Sequence, residues 1–116
     1  MKKSLVFPGQ GSQKVGMGKE FYENFSIARE VFQNVDDSLS QKLSKIIFEG
    51  PLDHLTLTEN TQPAIMTVSV AILEVLKKEF GFDIKKFNFC AGHSLGEYTA
   101  LAATECLSVR DVAVLL

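Results

Sequence analysis

Residues 92–96 read Gly-His-Ser-Leu-Gly, a serine flanked two residues away on each side by glycine. That spacing is the signature of a nucleophile elbow, where a sharp turn between a strand and a helix lifts the serine hydroxyl clear of the backbone. The chemistry it suits is acyl transfer through a serine ester. The N–H of Leu95 points to where an oxyanion would form, and the start of the following helix adds positive potential there. A second N–H must come from another loop, and the glycine-rich segment 8–13 (PGQGSQ) is the natural candidate, because it leaves the C-terminal end of an earlier strand. A serine also needs a base, and the sequence holds only His54 and His93. Side chains of neighbours on a tight turn diverge, so His93 is expected to pack beside the elbow rather than serve Ser94. His54, in GPLDHLTL, is expected on the surface.

Other chemistries fit less well. The 8–13 loop has neither the spacing of a phosphate-binding P-loop nor, with lysine at position 14, that of a dinucleotide loop. Cys90 and Cys106 read as two buried thiols and not as a disulfide framework, and no Cys/His set has metal-ligand spacing. The net charge of −2 carries no long basic block, which argues against a nucleic-acid or membrane-surface partner. The run Leu5–Phe7 before Pro8 is far too short for a secretory core of roughly 7–15 apolar residues. The stretch 64–76, broken by Thr67, Ser69 and Glu74, falls short of the roughly 20 residues that span a bilayer.

The elements that would position the serine follow from periodicity. Ser4–Phe7 reads as a strand stopped by Pro8-Gly9, and Phe87–Ala91 as a second strand ended by Gly92, with a helix from about Leu95. Leu55–Leu57 is a weaker strand candidate. From Lys19, apolar Phe21, Phe25, Ala28, Val31, Phe32 and Val35 mark one helical face. Asp36–Ser40 reads as a break, and Leu43–Ile47 as a further short helix closed by Gly50-Pro51. Thr61–Glu79 is predicted as a helix with Pro63 in its first turn, Lys77 and Lys78 near its end and Gly81 as its stop. Its apolar residues run nearly all round, so it should be buried on most sides. Ser108 and Asp111 open a last helix as a capping box does. Parallel strands joined by helices need both sheet faces covered, and two strands are few for that. The pattern therefore predicts the N-terminal part of a larger α/β domain.

Three blocks, FPGQGSQ (7–13), NTQPA (60–64) and GHSLGEY (92–98), resemble in order and spacing the malonyl-CoA:acyl carrier protein transacylases, the FabD-like acyltransferase family; GMG (16–18) fits as well. The resemblance covers the whole chain. It implies an α/β-hydrolase-like acyltransferase domain with a mostly parallel sheet, of which 1–116 would be the N-terminal part without the small ferredoxin-like subdomain. Ser94 would take a malonyl group from malonyl-CoA and pass it to the phosphopantetheine thiol of acyl carrier protein, in fatty acid synthesis. The N–H groups of Gln10 and Leu95 would form the oxyanion hole, with Gln62 and His93 lining the cleft. An apolar residue at Leu95 is usual in malonyl-using members, whereas methylmalonyl-using relatives more often have glutamine there. The family's base is a different histidine, far downstream, and an arginine shortly past Leu116 holds the malonate carboxylate in a bidentate pair; Arg110 does not match that position. The implied partners are acyl carrier protein and a coenzyme A thioester, with no bound cofactor and no metal, in the cytoplasm. Lys42, Lys45, Lys85 and Lys86 are candidates to face the acidic carrier.

Three readings stay open. The chain is the N-terminal part of a malonyl transacylase, incomplete by itself; or a serine hydrolase with the same elbow and water as acceptor; or a non-enzyme, either an inactive remnant or a fragment that must pair with a separately encoded remainder.

Overall fold

The computed structural model describes residues 2–87, 89–105 and 107–116. Strand β1 (Ser4–Phe7) pairs in parallel with β2 (Phe89–Gly92), in a register that sets Ser4 beside Phe89 and Phe7 beside Gly92. Parallel neighbours need a crossover connection, and here it holds α1 (Lys19–Asn24), α2 (Ser26–Leu39), α3 (Leu43–Glu49), α4 (Leu52–Thr56), α5 (Thr58–Phe80) and a 3₁₀ turn at Ile84–Lys86. After β2 come α6 (Gly96–Ala103) and α7 (Val109–Leu115).

The main core forms where α2 meets α5 and α7. Ala28, Val31, Phe32 and Val35 recur at helical spacing on α2 and are buried there. The Phe32 ring meets Tyr22 edge-on at 5.5 Å and Phe48 at 5.0 Å, arrangements that aromatic quadrupoles favour. A smaller cluster of Phe7, Leu73, Ala100 and Ala103 joins β1, α5 and α6. Helix α6 lies against both strands, so the start of α6 and the C-terminal ends of the strands share one corner of the molecule.

Several expectations hold. Gly81 ends α5 at φ 67° and donates to Leu76 O, behind Lys77 and Lys78. Ser108 caps α7, its side chain accepting from Asp111 N at 3.0 Å. Others are corrected. Leu55–Leu57 is not a strand: it belongs to α4 and its end, where Leu55 alone turns fully inward while Leu57 is exposed. Helix α2 runs through the expected break to Leu39. Asp36 is useful there as an acceptor, taking hydrogen bonds from Ser44 N at 3.0 Å and from Ser44 Oγ, and so ties α2 to α3. Helix α5 begins at Thr58, three residues early, which puts Pro63 inside it beyond the first turn. Strand β2 begins at Phe89, and Asn88 lies outside the described residues. Cys90 is a free, half-buried thiol, less enclosed than expected; Cys106 lies outside the described residues.

Candidate active site

At the elbow β2 ends in Gly92, Ser94 sits at the tip, and α6 starts at Gly96 with Leu95 as its N-cap. Ser94 has φ 56°, the left-handed region that non-glycine residues seldom occupy. Such strain persists only where the surroundings fix it, and here they do. His93 N donates to Phe7 O at 3.2 Å, Gly96 N to His93 O at 3.0 Å and Glu97 N to Ser94 O at 3.0 Å. The Leu95 side chain, 1% exposed, anchors the turn in the main core.

The two glycines of the motif are required by close approach. A Cβ on Gly92 would collide with the Gly96 backbone, and one on Gly96 with the backbone of Phe7 and Pro8. The elbow is thus folded on itself and pressed against the end of β1. The first loop closes in from the same side. A Cβ on Gly9 would lie 2.5 Å from His93 O and 2.8 Å from His93 Nδ1, so the backbone of Gly9 touches that of the elbow. Beyond it the loop turns back: Gly9 O accepts from Ser12 N at 3.3 Å and from Ser12 Oγ at 2.8 Å. Gly11 N donates to Gln13 Oε1 at 2.8 Å, with Gly11 at φ 109°.

Gln10 projects from this loop. Its Nε2 donates to Thr58 Oγ1 at 3.2 Å, and its Oε1 accepts from Gln62 Nε2 at 3.4 Å. The start of α5 therefore joins the site through two residues, Thr58 and Gln62. Among the described residues, neither the Gln10 N–H nor the Leu95 N–H donates a hydrogen bond, and the Ser94 hydroxyl has no hydrogen-bond partner. The corner thus carries an exposed serine hydroxyl with two unengaged backbone donors on the elbow and the adjoining loop.

The structure brings together Ser94, Leu95, His93, Gln10 and Gln62. His93 packs beside the elbow against Gly9, as expected, and makes no hydrogen bond to Ser94. His54 is exposed on α4, and its carbonyl accepts from Asn60 Nδ2 at 2.9 Å. Arg110 is exposed on α7, and Lys42, Lys45, Lys85 and Lys86 are all exposed. Lys85 and Lys86 precede β2, whereas the elbow follows it. Cys90 belongs to the smaller apolar cluster, where burial pushes its thiol up from the ordinary range. Thr58 was not singled out in the sequence. A threonine three residues before Thr61 is the signal that could have found it, since hydroxyl residues gather at helix starts. Among the described residues no group of three His, Cys, Asp or Glu side chains could hold a metal ion, and no helix is long and apolar enough to cross a membrane.

The family model described as acyl transferase domain matches residues 4–116. The chain is 52% identical over 110 residues to the malonyl CoA-acyl carrier protein transacylase of Bacillus subtilis strain 168, covering 95% of this chain and 33% of that protein. The crystal structure of acyl-carrier-protein-S-malonyltransferase from Bartonella henselae superimposes with a TM-score of 0.96 at 56% identity, over 99% of this chain and 37% of that one. A malonyl-transacylase solved in complex with a type II PKS acyl-carrier protein superimposes with a TM-score of 0.90 at 35% identity, over 99% of this chain and 36% of that one. The chain thus spans about a third of the length of the relatives it matches.

Proposed function

Because the chain belongs to the acyl transferase domain family, we propose that its elbow and first loop supply the nucleophile and the oxyanion hole of a malonyl-CoA:acyl carrier protein transacylase. The Ser94 hydroxyl attacks the thioester carbonyl of malonyl-CoA. The oxyanion that forms is received by the N–H groups of Gln10 and Leu95. The carbon–sulfur bond then breaks, the serine proton ends on the coenzyme A thiolate, and a malonyl ester is left on Ser94. In the second half the phosphopantetheine thiol of acyl carrier protein attacks that ester by the reverse steps, regenerating the serine and carrying malonate into fatty acid synthesis in the cytoplasm. No cofactor takes part; coenzyme A enters and leaves as part of the substrate.

One observation carries this reading: Ser94 is held at φ 56° on a strand–helix elbow whose His93 carbonyl touches Gly9, the residue before Gln10. The two unengaged donors therefore lie on adjoining backbone, as an oxyanion hole requires. The apolar Leu95 supports malonate as the acyl group through the family resemblance, and the relative solved with its carrier protein supports the acceptor. In this reading residues 1–116 form the N-terminal part of the acyltransferase domain. The proton acceptor and the carboxylate clamp come from the part of the relatives' length that the chain does not span. Gln62 and His93 line the cleft.

The test is intact mass spectrometry after mixing the chain with malonyl-CoA, beside Ser94→Ala. A malonyl adduct that disappears in the variant is the expected result. Without a base the rate should sit thousands-fold below an intact site but above zero, as an oxyanion hole alone sustains. An adduct that survives in Ser94→Ala, or none in the unmodified chain after long incubation, would count against the reading.

A further inference from the structure

Thr58 occupies an unusual place. It is the first residue of α5, one position past the N-cap, and the cap itself is Leu57, which has no side chain able to bond the first turn. Serine, threonine, aspartate and asparagine are the residues that stabilise that cap position. The Thr58 hydroxyl does not serve the helix. It accepts from Gln10 Nε2 at 3.2 Å across 48 residues of sequence, while Gln62, one turn along the same helix, donates to the other end of the Gln10 amide at 3.4 Å. Both ends of one side chain are thus fixed to one helix. Helix α5 is the best-anchored element available, with Thr61, Ala64 and Met66 fully buried just beyond its first residues. Local rules broken at a helix start, with the hydroxyl used elsewhere, are expected near functional sites.

We propose that Thr58 is a positioning residue that sets the direction of the Gln10 N–H by tethering its side chain to α5. The proposal rests on the reading of Gln10 as an oxyanion donor. Thr58 touches neither substrate nor Ser94; it acts through the loop. The contact of Gly9 with His93 sets how far the loop stands from the elbow, but beyond Gly9 the residues Ser12 and Gln13 bond within the loop itself, which leaves the direction of Gln10 to its side-chain tether. Releasing the tether leaves α5 intact and lets the donor wander.

The test compares the unmodified chain with Thr58→Val, which keeps the shape and removes the acceptor, and Thr58→Ser, which restores it. Two readouts are taken: hydrogen–deuterium exchange of the 9–13 amides, and the rate of malonyl-ester formation against malonyl-CoA concentration. Thr58→Val should speed exchange in 9–13 and lower the maximal acylation rate by about fivefold, with the half-saturating concentration unchanged. Thr58→Ser should restore both. Exchange in 9–13 that is the same in Thr58→Val and the unmodified chain overturns the tether, as does a slower rate that Thr58→Ser fails to rescue. Absence of any adduct in the unmodified chain overturns the acyltransferase reading instead, and the tether then stands or falls on the exchange comparison alone.

Discussion

Replacing Gly9 by alanine separates the site from the fold. Gly9 is buried, and its φ is not in the left-handed region, so alanine meets no backbone penalty there. The whole effect comes from contact with one residue, His93, whose carbonyl O and ring Nδ1 both lie closer than a Cβ allows. The new Cβ would stand 2.5 Å from His93 O, and ordinary contact begins near 3.4 Å. The neighbouring atom is backbone, held in turn by Gly96 N, so the loop is the part that yields, by about 0.9 Å. An oxyanion donor must reach within roughly 2.7–3.1 Å of the oxygen. Retreat by that much carries the Gln10 N–H out of hydrogen-bond range. Loss of one such donor costs about 100- to 1,000-fold in rate. The accompanying overpacking costs roughly 1–3 kcal/mol of stability, which lowers the thermal midpoint but leaves a cooperative transition. The assay is a time course of malonyl-ester formation by intact mass, run well below the midpoint of the variant. An acylation rate within threefold of the unmodified chain, at a well-folded Gly9→Ala, would refute the argument that this contact sets the distance between loop and elbow.

Ser94→Gly should remove the malonyl adduct yet raise the thermal midpoint by the equivalent of about 0.5–1 kcal/mol, because the strain of φ 56° disappears; a lower midpoint would show that the elbow is not strained. Phe32→Ala should cost about 3–5 kcal/mol in urea unfolding, since the ring is 1% exposed and packs on Tyr22 and Phe48. Burial raises the Cys90 thiol, so its contribution is fully present below the ordinary thiol range and is lost as pH rises through the raised value, the unfolded chain ionising first. Unfolding curves of Cys90→Ala and the unmodified chain should therefore diverge in their alkaline dependence, with the unmodified chain falling more steeply.

The serine elbow and both strands were legible because their signals are local: a motif, a β-prone run, a glycine; the first loop was marked by its glycines, whereas Gln10 was named only through the family resemblance. What the sequence hid was tertiary. The alternation in Leu55–Leu57 suggested a strand, but only Leu55 has a core to enter, and α4 forms around that one anchor. Asp36 and Asp37 disfavour helix in isolation, yet Ser44 gives Asp36 a reason to stay in one. Pro63 suggested a helix start, but α5 accepts it past the first turn. The link from Gln10 to Thr58 joins residues 48 apart, and no periodicity reports such a distance.

The pairing of Phe7 with Gly92 also fixes an order of events during synthesis. These partners are 85 positions apart, with six helical segments between them. At roughly 5–20 residues per second, β1 and its loop leave the ribosome about 4–17 seconds before the strand that covers them. The helices between can settle on one another first, because their contacts are closer in sequence and cheaper to close. Throughout that interval the Val6 edge and the Phe7 side chain have no sheet to join. Docking of α7 on α2 comes later still, and a chaperone that delays misassociation would act most usefully on β1 while it waits for β2.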